Sequence, residues 1–402
     1  MAKTALPSSW QIVKLGKIAT PIREKAGDKN LETLSISAGI GFVNQAEKFG
    51  RELSGNQYVN YTVLRKGDFS FNKGNSKKYP YGCIYILKDR EIAAVPNAFY
   101  SFSIENQCCD YFEQLFMNGY LNHQLHKDIN TGVRNDGLFN LYEDDFYDCL
   151  VPLPHLPEQH AIAEILTTAD NLITVKERLI AAKQKQKRWL MQNLLTGKMR
   201  LSGFSEKWDR KPLQDCGTII TGSTPSTIEL DNFGCDYSWV TPTDIDDSVY
   251  IHNTERKLSK KGMAKSRLIK AGSVLVTCIA SIGKNVILTE DGSCNQQINA
   301  ITPKKKYNSE YIYYLICFNE SKLKKYAGKT ATQIINKETF QNIVFRFPPL
   351  PEQQAIAKIL TTADREIELL KKELDRQKLI KKYLMQQLLT GKIRVKGAWD
   401  EK

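Results

Sequence analysis

The sequence contains no apolar run that could cross a membrane. No window of about 18 residues is free of polar side chains. The first residues, MAKTALPSSWQIVKL, also lack the apolar core of a secretory signal. These two features predict a cytoplasmic protein that does not interact with membranes.

The nine cysteines form no recognisable ligand or disulfide pattern. Their number is odd, no C-x-x-C occurs, and they lie in apolar, strand-like runs, which argues against a disulfide framework and against a zinc ribbon. His123 and His126 share the spacing of one helix face, but no further ligand candidates flank them. We therefore predict no metal site.

Motifs for nucleotide chemistry are missing as well. The segment AGKT at 327–330 lacks the upstream glycine of a phosphate-binding loop, because position 323 is leucine. The sequence has no G-x-G-x-x-G and none of the N/D-P-P-Y/F segments with which an amino-methyltransferase grips its target amine. We find no catalytic constellation, so the chain is predicted not to be an enzyme by itself.

Positive charge is in clear excess. The 57 basic and 44 acidic residues of the 402-residue chain give a formal net charge of +13 and a pI near 9.1. Such an excess favours a polyanionic partner, because each neutralised phosphate releases condensed counterions. A basic protein without such a partner is the alternative, and charge alone does not decide between them.

One long segment occurs twice. LPEQHAIAEILTTAD starts at Leu156 and LPEQQAIAKILTTAD at Leu350, and 24 of 45 positions are identical when 156–200 is aligned without gaps to 350–394. The identities lie at the two ends of the segment. Proline near the start and Gly197 or Gly391 after the end predict one helix of roughly 39 residues in each copy.

An apolar seam runs along each predicted helix with the four-and-three spacing of a coiled coil, interrupted by polar positions. Two such helices in one chain most simply pack on each other, and the large domain between them favours an antiparallel pairing. The seam residues that we assign are Ile162, Leu166, Ile173, Leu190, Leu194, Ile356, Leu360, Ile367, Leu384 and Leu388.

Two further blocks, opened by Trp10 and Trp208, are rich in aromatic and β-branched residues with frequent glycines, and predict strands followed by short helices. The fold class is therefore α+β, with two α+β heads separated by two long helices that form an antiparallel coiled coil. We place the first head at 1–155, the first helix at 156–200, the second head at 201–349, and the second helix with the C-terminal tail at 350–402.

The chain ends complete a pseudo-two-fold pattern. RLSGFSEKWD at 200–209 joins the first helix to the second head, and RVKGAWDEK at 394–402 together with PSSWQIVKL from the N-terminus imitates it. This predicts a cyclically closed molecule with neighbouring termini. Two diverged heads held apart by paired helices suit duplex DNA, where one protein reads two half-sites on one face.

These motifs resemble a known family. LPEQ-x-AIA-x-IL with LMQ-x-LLTGK is similar to the two conserved regions of specificity subunits in type I restriction-modification enzymes, and KGDFSFNKGNSKKYPYG, GVRNDGLFN, AGSVLVTCIASIGK and NQQINAI are typical of that family's target recognition domains. The resemblance covers nearly the whole chain. It implies a non-catalytic subunit that reads a bipartite, asymmetric DNA target, one half-site per head, and that scaffolds the modification subunits.

The same resemblance implies the partners. Two modification subunits are expected to supply S-adenosylmethionine and methylate adenine, while a restriction and translocase subunit cuts DNA. ATP and magnesium are expected on partner subunits, and no cofactor is expected on this chain. The alternative function is a coiled-coil structural adaptor without specific DNA recognition.

The candidate DNA contacts in the first head lie on two loops. FNKGNSKKYPYG offers lysines for phosphates and asparagines for base edges, although a plain solvated turn is the alternative. In GVRNDG an arginine can grip guanine, or can brace the loop through Asp136. The candidates are Asn72, Lys73, Asn75, Lys77, Lys78, Tyr79, Tyr81, Arg134 and Asn135.

In the second head, SIGK and NQQ lie beside apolar strands. GKTATQ precedes the second long helix at a position similar to that of GVRNDG before the first long helix. The candidates are Lys284, Gln296, Gln297, Lys329 and Thr330. Glutamines can read adenine, or can instead brace a strand. The basic stripe at 255–270 is a plausible phosphate contact or simply a solvated face, and the basic residues of the long helices could line DNA or flank a docking partner.

Overall fold

The computed structural model describes residues 6–51, 54–74, 79–128, 141–327, 333–395 and 397. The chain forms two compact units, one of residues 1–176 and 373–402 and one of residues 177–372. Each unit contains one head and a part of both long helices. The sequence analysis placed each long helix in a segment of its own, whereas in the structure both helices are divided between the two units.

The first unit is built on a four-stranded antiparallel sheet with the strand order β2-β9-β6-β7. Its elements in chain order are β1 (Gln11–Lys14), β2 (Ala19–Pro21), β3 (Leu34–Ser37), β4 (Gly41–Asn44), α1 (Gln45–Phe49), β5 (Thr62–Arg65), β6 (Phe69–Asn72), β7 (Cys83–Ile86), β8 (Ile92–Val95), β9 (Tyr100–Ile104), α2 (Cys109–Met117), α3 (Asn122–Asp128), α4 (Glu143–Tyr147), β10 (Leu150–Leu153) and the first part of α5 (Leu156–Leu194). Phe69 and Phe102 stack at a centroid distance of 5.4 Å in its core.

The second unit is built on a five-stranded sheet with the strand order β12-β20-β17-β18-β15. Its elements after α5 are β11 (Asp209–Pro212), α6 (Leu213–Cys216), β12 (Gly217–Thr221), β13 (Phe233–Gly234), β14 (Tyr237–Val240), β15 (Tyr250–Ile251), β16 (Lys257–Leu258), α7 (Lys260–Ala264), β17 (Val274–Thr277), β18 (Asn285–Leu288), β19 (Gly292–Cys294), β20 (Ile298–Pro303), α8 (Ser309–Phe318), α9 (Glu320–Tyr326), α10 (Lys337–Gln341), β21 (Val344–Phe347) and the first part of α11 (Leu350–Leu388). Strands β13, β16, β14 and β19 form a second sheet in this head.

The two heads share one strand frame. The order β2-β9-β6-β7 in the first corresponds to β12-β20-β17-β18 in the second, and all these pairs are antiparallel. The registers agree, because Phe69 faces Phe102 in the first head and Val274 faces Ile301 in the second. The duplication predicted from the helices therefore extends through the heads.

Both long helices have the predicted length, and α5 and α11 each contain 39 residues. Each is followed by a glycine in the left-handed region, Gly197 at φ 71° and Gly391 at φ 65°, as expected of a C-terminal cap. The glycine of the repeated TGK thus ends each helix with a left-handed C-terminal cap.

The two helices pair antiparallel in each unit, so the predicted fold class is confirmed. As the residue number increases along α5, the number of the ion-paired residue on α11 decreases. The pairs are Asp170–Lys381 and Lys176–Glu373 in the first unit and Lys183–Glu366 and Lys187–Asp364 in the second, with N–O distances of 2.5 to 2.6 Å. Lys187 and Lys381 are equivalent and are two of the few residues repeated mid-helix. Each bonds the repeated aspartate of the other helix.

The predicted seam faces inward along both helices. Most of its residues are buried and the rest are half-buried: Ile162, Leu166, Leu194, Ile356, Leu360, Ile367 and Leu388 are buried, and Ile173, Leu190 and Leu384 are half-buried. Ile162, Leu166 and Leu388 belong to the core of the first unit, and Leu194, Ile356 and Leu360 to that of the second. The helix ends therefore form part of each head's core.

A buried carboxylate joins the helices to the head in the second unit. Glu352, only 1% exposed, accepts two bonds from Arg200 (Nε–Oε1 2.6 Å, Nη2–Oε2 2.8 Å) and one from Trp208 Nε1 at 3.1 Å. Arg200 follows the first helix, Trp208 opens the head, and Glu352 begins the second helix. One carboxylate thus fixes three segments, and its bidentate arginine offsets the cost of burying its charge.

The first unit repeats this joint with residues from the two ends of the chain. Glu158, fully buried, accepts from Arg394 Nη2 at 2.8 Å and from Trp10 Nε1 at 2.9 Å. Arg394 also donates to Ser9 Oγ at 2.9 Å. The C-terminal segment therefore meets the N-terminal segment as the connector meets the second head, which confirms the predicted closure.

The glutamine beside each buried glutamate explains the rest of the repeated LPEQ. Gln159 Oε1 accepts from the amide of Cys108 at 3.1 Å, and Gln353 Oε1 accepts from the amide of Asn308 at 3.0 Å. Both side chains are fully buried. Each glutamine thereby satisfies a backbone donor at the start of a helix in the head, α2 in the first unit and α8 in the second.

Glu352→Ala is expected to destabilise the protein by about 3–5 kcal/mol, because it leaves the Arg200 guanidinium and the Trp208 N–H without their buried partner. Urea denaturation followed by circular dichroism measures the change. Glu158→Ala should have a similar cost, whereas Glu368→Ala, at an exposed ion pair, should stay within about 0.5 kcal/mol of the wild type. Equal stabilities for Glu352→Ala and Glu368→Ala would contradict the role of the joint.

Candidate nucleic-acid interface

Several polar loops of the second head meet at one edge of its five-stranded sheet. Strands β12 and β17 end there and β18 and β20 begin there, because neighbouring strands run antiparallel. The amide of Asn295 donates to the carbonyl of Val240 at 2.9 Å and brings the end of β14 to the same edge. We call the segments 221–224, 241–244, 278–284 and 295–297, with Arg267, the polar loop cluster.

The segment 278–284 is a tight turn. The Gly283 amide donates to the Thr277 carbonyl at 3.0 Å, and the hydroxyl of Thr277 donates to the carbonyls of Ser281 and Lys284. Ala280 has a φ of 60°, which is uncommon without glycine, and its amide donates to the carbonyl of Gln333. The turn leaves Lys284 exposed at the edge of the sheet.

The two predicted glutamines have different roles. The half-buried Gln297 accepts from Asn295 Nδ2 at 3.0 Å, and its carbonyl accepts from the Cys278 amide at 2.8 Å, so it braces the turn. Gln296 is exposed, and its Oε1 accepts from Thr224 Oγ1 at 2.5 Å. With its oxygen engaged, the exposed Gln296 retains its amide nitrogen as a donor.

Arg267 is an exposed cation that is held in place by the same cluster. Its Nη1 donates to the carbonyl of Thr221 at 2.8 Å, and its amide donates to Ser223 Oγ at 3.0 Å. Ser293 Oγ donates to the Arg267 carbonyl at 2.9 Å. Within the described parts of the chain, no carboxylate lies within ion-pair distance of Arg267, so its remaining donors face solvent.

Sequence reasoning did not single out Arg267. It counted this residue only as one of the basic residues of the stripe at 255–270, and no local pattern connects it with Thr221, 46 residues away. In the structure, Arg267 differs from the nearby lysines of the stripe because those lysines form ion pairs. Lys261 pairs with Asp231 at 3.3 Å and Lys265 with Glu229 at 2.5 Å.

Gly222 allows the segment 221–224 to lie against the strand ends. A Cβ atom there would stand 2.1 Å from the carbonyl oxygen of Asn295 and 2.3 Å from that of Cys294. No side chain fits between these backbone atoms. The positions of both Arg267 and Gln296 therefore depend on this glycine.

Two first-head candidates are engaged within the fold. Lys73 is 8% exposed, with its Nζ 4.1 Å from the centroid of the Tyr100 ring, an environment unlike that of a lysine that contacts phosphate. Asn72 Oδ1 accepts from the Gly74 amide at 2.8 Å. DNA contact through either residue stays a prediction.

The remaining candidates are half-buried or lie outside the described residues. Tyr79 and Tyr81 are half-buried, and the Tyr81 ring lies 5.4 Å from that of His126. Asn75, Lys77, Lys78, Arg134, Asn135, Lys329 and Thr330 lie outside the described residues.

Part of the positive charge on the long helices serves their pairing. Lys183, Lys187 and Lys381 each bond a carboxylate of the opposite helix. Lys185 and Arg188 are exposed. The first three are therefore explained by the coiled coil, which the sequence analysis did not foresee.

The described residues offer little for catalysis. All nine cysteines are free, and burial raises the pKa of Cys278 to about 12 and that of Cys317 to about 11, so these thiols stay protonated at neutral pH. Over the ranges given above, no group of acidic, histidine or cysteine residues could hold a metal ion, and no helix is long and apolar enough to cross a membrane.

The fold and this cluster define a class of protein: a duplicated, cyclically closed chain with two diverged polar heads on paired helices. A family model for the type I restriction modification DNA specificity domain matches residues 7–183 and again residues 205–377. The chain belongs to this family. Its role is therefore DNA sequence specificity within a restriction-modification complex, without catalysis of its own.

Individual relatives agree. The type I restriction enzyme MjaIX specificity subunit of Methanocaldococcus jannaschii is 33% identical over 172 residues, which cover 41% of this chain and 40% of that subunit. The HsdS subunit from Thermoanaerobacter tengcongensis has a similar fold, with a TM-score of 0.53 and 20% identity over 98% of this chain and 99% of that one. The S subunit from M. genitalium gives a TM-score of 0.60 at 12% identity over 96% and 97%.

Gly222→Ala is expected to displace the segment 221–224 and to cost about 1–3 kcal/mol, as overpacking commonly does. Thermal unfolding measures this cost, and Thr218→Ala, at an exposed position of the preceding strand β12, serves as the control. DNA binding by the complex should weaken for Gly222→Ala and not for Thr218→Ala. A Gly222→Ala variant with wild-type stability and wild-type binding would show that the close approach is unimportant.

Proposed function

We propose that this chain binds a bipartite, asymmetric duplex DNA target, with one half-site read by each head, and directs partner subunits to it. The observation that supports the proposal most strongly is that the two heads share a strand frame but differ in the loops at the edge of the sheet. The joints, helix caps and strand registers of the two halves correspond. The loops at equivalent sheet edges do not.

The loop after the first strand of each frame shows this contrast. In the second head it carries Thr221 and Gly222, which hold Arg267 and adjoin Gln296. The equivalent first-head loop carries Arg23, paired with Glu143 at 2.7 Å, and Glu24, whose pKa is lowered to about 2 by hydrogen bonds from Arg65 and then Lys29. Heads with different chemistry at the same position suit half-sites of different sequence.

The long helices also offer a repeated apolar surface for partners. Trp189 is 53% exposed and the equivalent Tyr383 is 54% exposed. Val175 and the equivalent Leu369 are exposed by 60% and 62%. Single exposed apolar residues are common, but their repetition at equivalent positions of both helices supports a repeated docking surface for two copies of one modification subunit.

The other partner roles follow from the family. Methylation of adenine with S-adenosylmethionine is assigned to the modification subunits, and translocation and cleavage with ATP and magnesium to a restriction subunit. A coiled-coil adaptor without DNA recognition would leave the preorganised Arg267 and Gln296 without a purpose, so the specificity function is favoured.

Mapping of modified adenines tests the proposal. The chain is produced with its modification subunit in a host without DNA methylation, and the same subunit alone is the control. We expect an asymmetric motif in two parts with a fixed unread gap. An assembled complex that methylates nothing, or that methylates one uninterrupted motif, would sink the proposal.

Arg267→Gln is expected to change only the half of the motif read by the second head. An arginine contact to guanine provides about 1–3 kcal/mol of discrimination, or roughly 5- to 150-fold. Methylation rates on a library randomised in each half measure the effect. Lys270→Gln, at a cation already paired with Asp291 at 2.7 Å, is the control and should leave both halves unchanged.

Trp189→Ala and Tyr383→Ala are each expected to weaken the binding of one modification subunit, because each removes the aromatic anchor of one docking surface. Native mass spectrometry should then show complexes with one copy instead of two for each single variant. Lys185→Ala, an exposed neighbour on the same helix, is the control. Two bound copies in the double variant would contradict the assignment of this surface.

A further inference from the structure

The second head has a cationic cavity that lies outside the polar loop cluster. It has a volume of about 720 Å³ and lies beside the β11–β21 strand pair. Its apolar floor includes Trp208 and Phe345. Its charged lining residues are Lys207, Arg210, Lys322 and Arg346 with one carboxylate, Asp209, so positive charge is in excess.

Two of the cations are placed directly against each other. Arg210 and Arg346 are cross-strand neighbours in the antiparallel register of β11 and β21. Like charges in this position destabilise a strand pair. Arg346 lies 5.9 Å from the centroid of the Trp208 ring, but neither arginine has an ion-pair partner among the described residues. An arrangement that costs stability without such a partner suggests a ligand that supplies the missing negative charge.

Lys322 adds a third positive charge to the same cavity. Its Nζ donates to the carbonyl of Val344 at 2.7 Å and lies 4.4 Å from the centroid of the Phe345 ring. Its pKa is lowered by burial and by the nearby charge of Arg210. Among the residues that the structure describes, no carboxylate lies within ion-pair distance of Arg210, Lys322 or Arg346.

Among its described residues, the first head lacks this cavity chemistry although its strand pair is equivalent. Ile12 and Pro152 face each other in β1 and β10 where Arg210 and Arg346 do in the second head. Gln124 Nε2 donates to the Leu150 carbonyl at 2.8 Å, as Lys322 does to Val344. Three neutral residues thus replace three cations, so the shared frame does not require the charges.

We propose that this cavity binds the sugar-phosphate backbone of DNA. The paired guanidinium groups match phosphate oxygens, and the apolar floor suits a deoxyribose. The proposal rests on the proposed function in that the ligand is the same duplex. It adds a sequence-independent anchor at a position where the first head has Ile12, Pro152 and Gln124, which makes the two heads unequal in affinity as well as in specificity.

The test compares the double variant R210Q/R346Q with K261Q/K265Q in the full complex. The second pair removes the same charge from the same head, at lysines already neutralised by carboxylates. The affinity for duplex DNA is measured against salt concentration, with and without the mapped motif. For R210Q/R346Q the salt slope should fall by about 2, and binding should weaken on the order of tenfold for both DNAs.

The outcomes separate the two proposals. If the salt dependence of DNA affinity is the same for R210Q/R346Q as for K261Q/K265Q, the cavity is not a backbone anchor. If R210Q/R346Q binds DNA normally but no longer assembles with its partner subunits, the cavity is a protein-docking site and the proposal is likewise overturned. The complex with R210Q/R346Q should methylate the same DNA motif as the wild-type complex. If the wild-type complex itself methylates no two-part motif, the proposed function fails instead. Because like charges are removed, the Tm of R210Q/R346Q should not fall below that of the control, so weak binding cannot be attributed to unfolding.

Discussion

A buried glutamate held by an arginine and a tryptophan is the constraint on which each half of this molecule depends. Glu352 binds Arg200 and Trp208, and Glu158 binds Arg394 and Trp10. Each joint connects the start of one long helix with the end of the other and with the first strand of a head. Loss of a partner would leave a buried charge uncompensated at a cost of about 3–5 kcal/mol, so the three segments are held in one arrangement. In the first unit this requirement also fixes the two ends of the chain to each other.

The repeated letters of the sequence can now be understood as points of contact. Glutamate and glutamine of LPEQ bind the joint and the head, the aspartate of TTAD binds the repeated lysine of the opposite helix, and the glycine of TGK caps the helix. Between these points the two helices differ freely, because most of those side chains are exposed. The heads follow the same rule, since their strand frame is kept while the loops at its edge diverge. A frame that is fixed by few contacts permits a change in what a head reads without a change in how it is held.

Much of the fold could be predicted because its signals are local. Apolar residues at four-and-three spacing predicted the seam, and the glycine after each helix predicted its end. The large domain between the helices favoured the antiparallel pairing, and the likeness of the chain ends to the connector predicted the closure. The interface was harder. Arg267 owes its position to Thr221, Lys73 is buried against Tyr100, and Arg210 faces Arg346 across a strand pair, and each of these relations joins residues that are distant in sequence. A lysine in a loop-like segment and a lysine that ends a buried strand look alike until the strand register is known.

Replacement of the second head tests the central claim that each head is an independent reader on a common frame. Residues 206–346 are exchanged for the corresponding segment of another specificity subunit, Arg200 and Glu352 are retained, and modified adenines are mapped. The account predicts that one half of the motif changes while the other half and the unread gap remain. A change in both halves, in a complex that assembles normally, would contradict it.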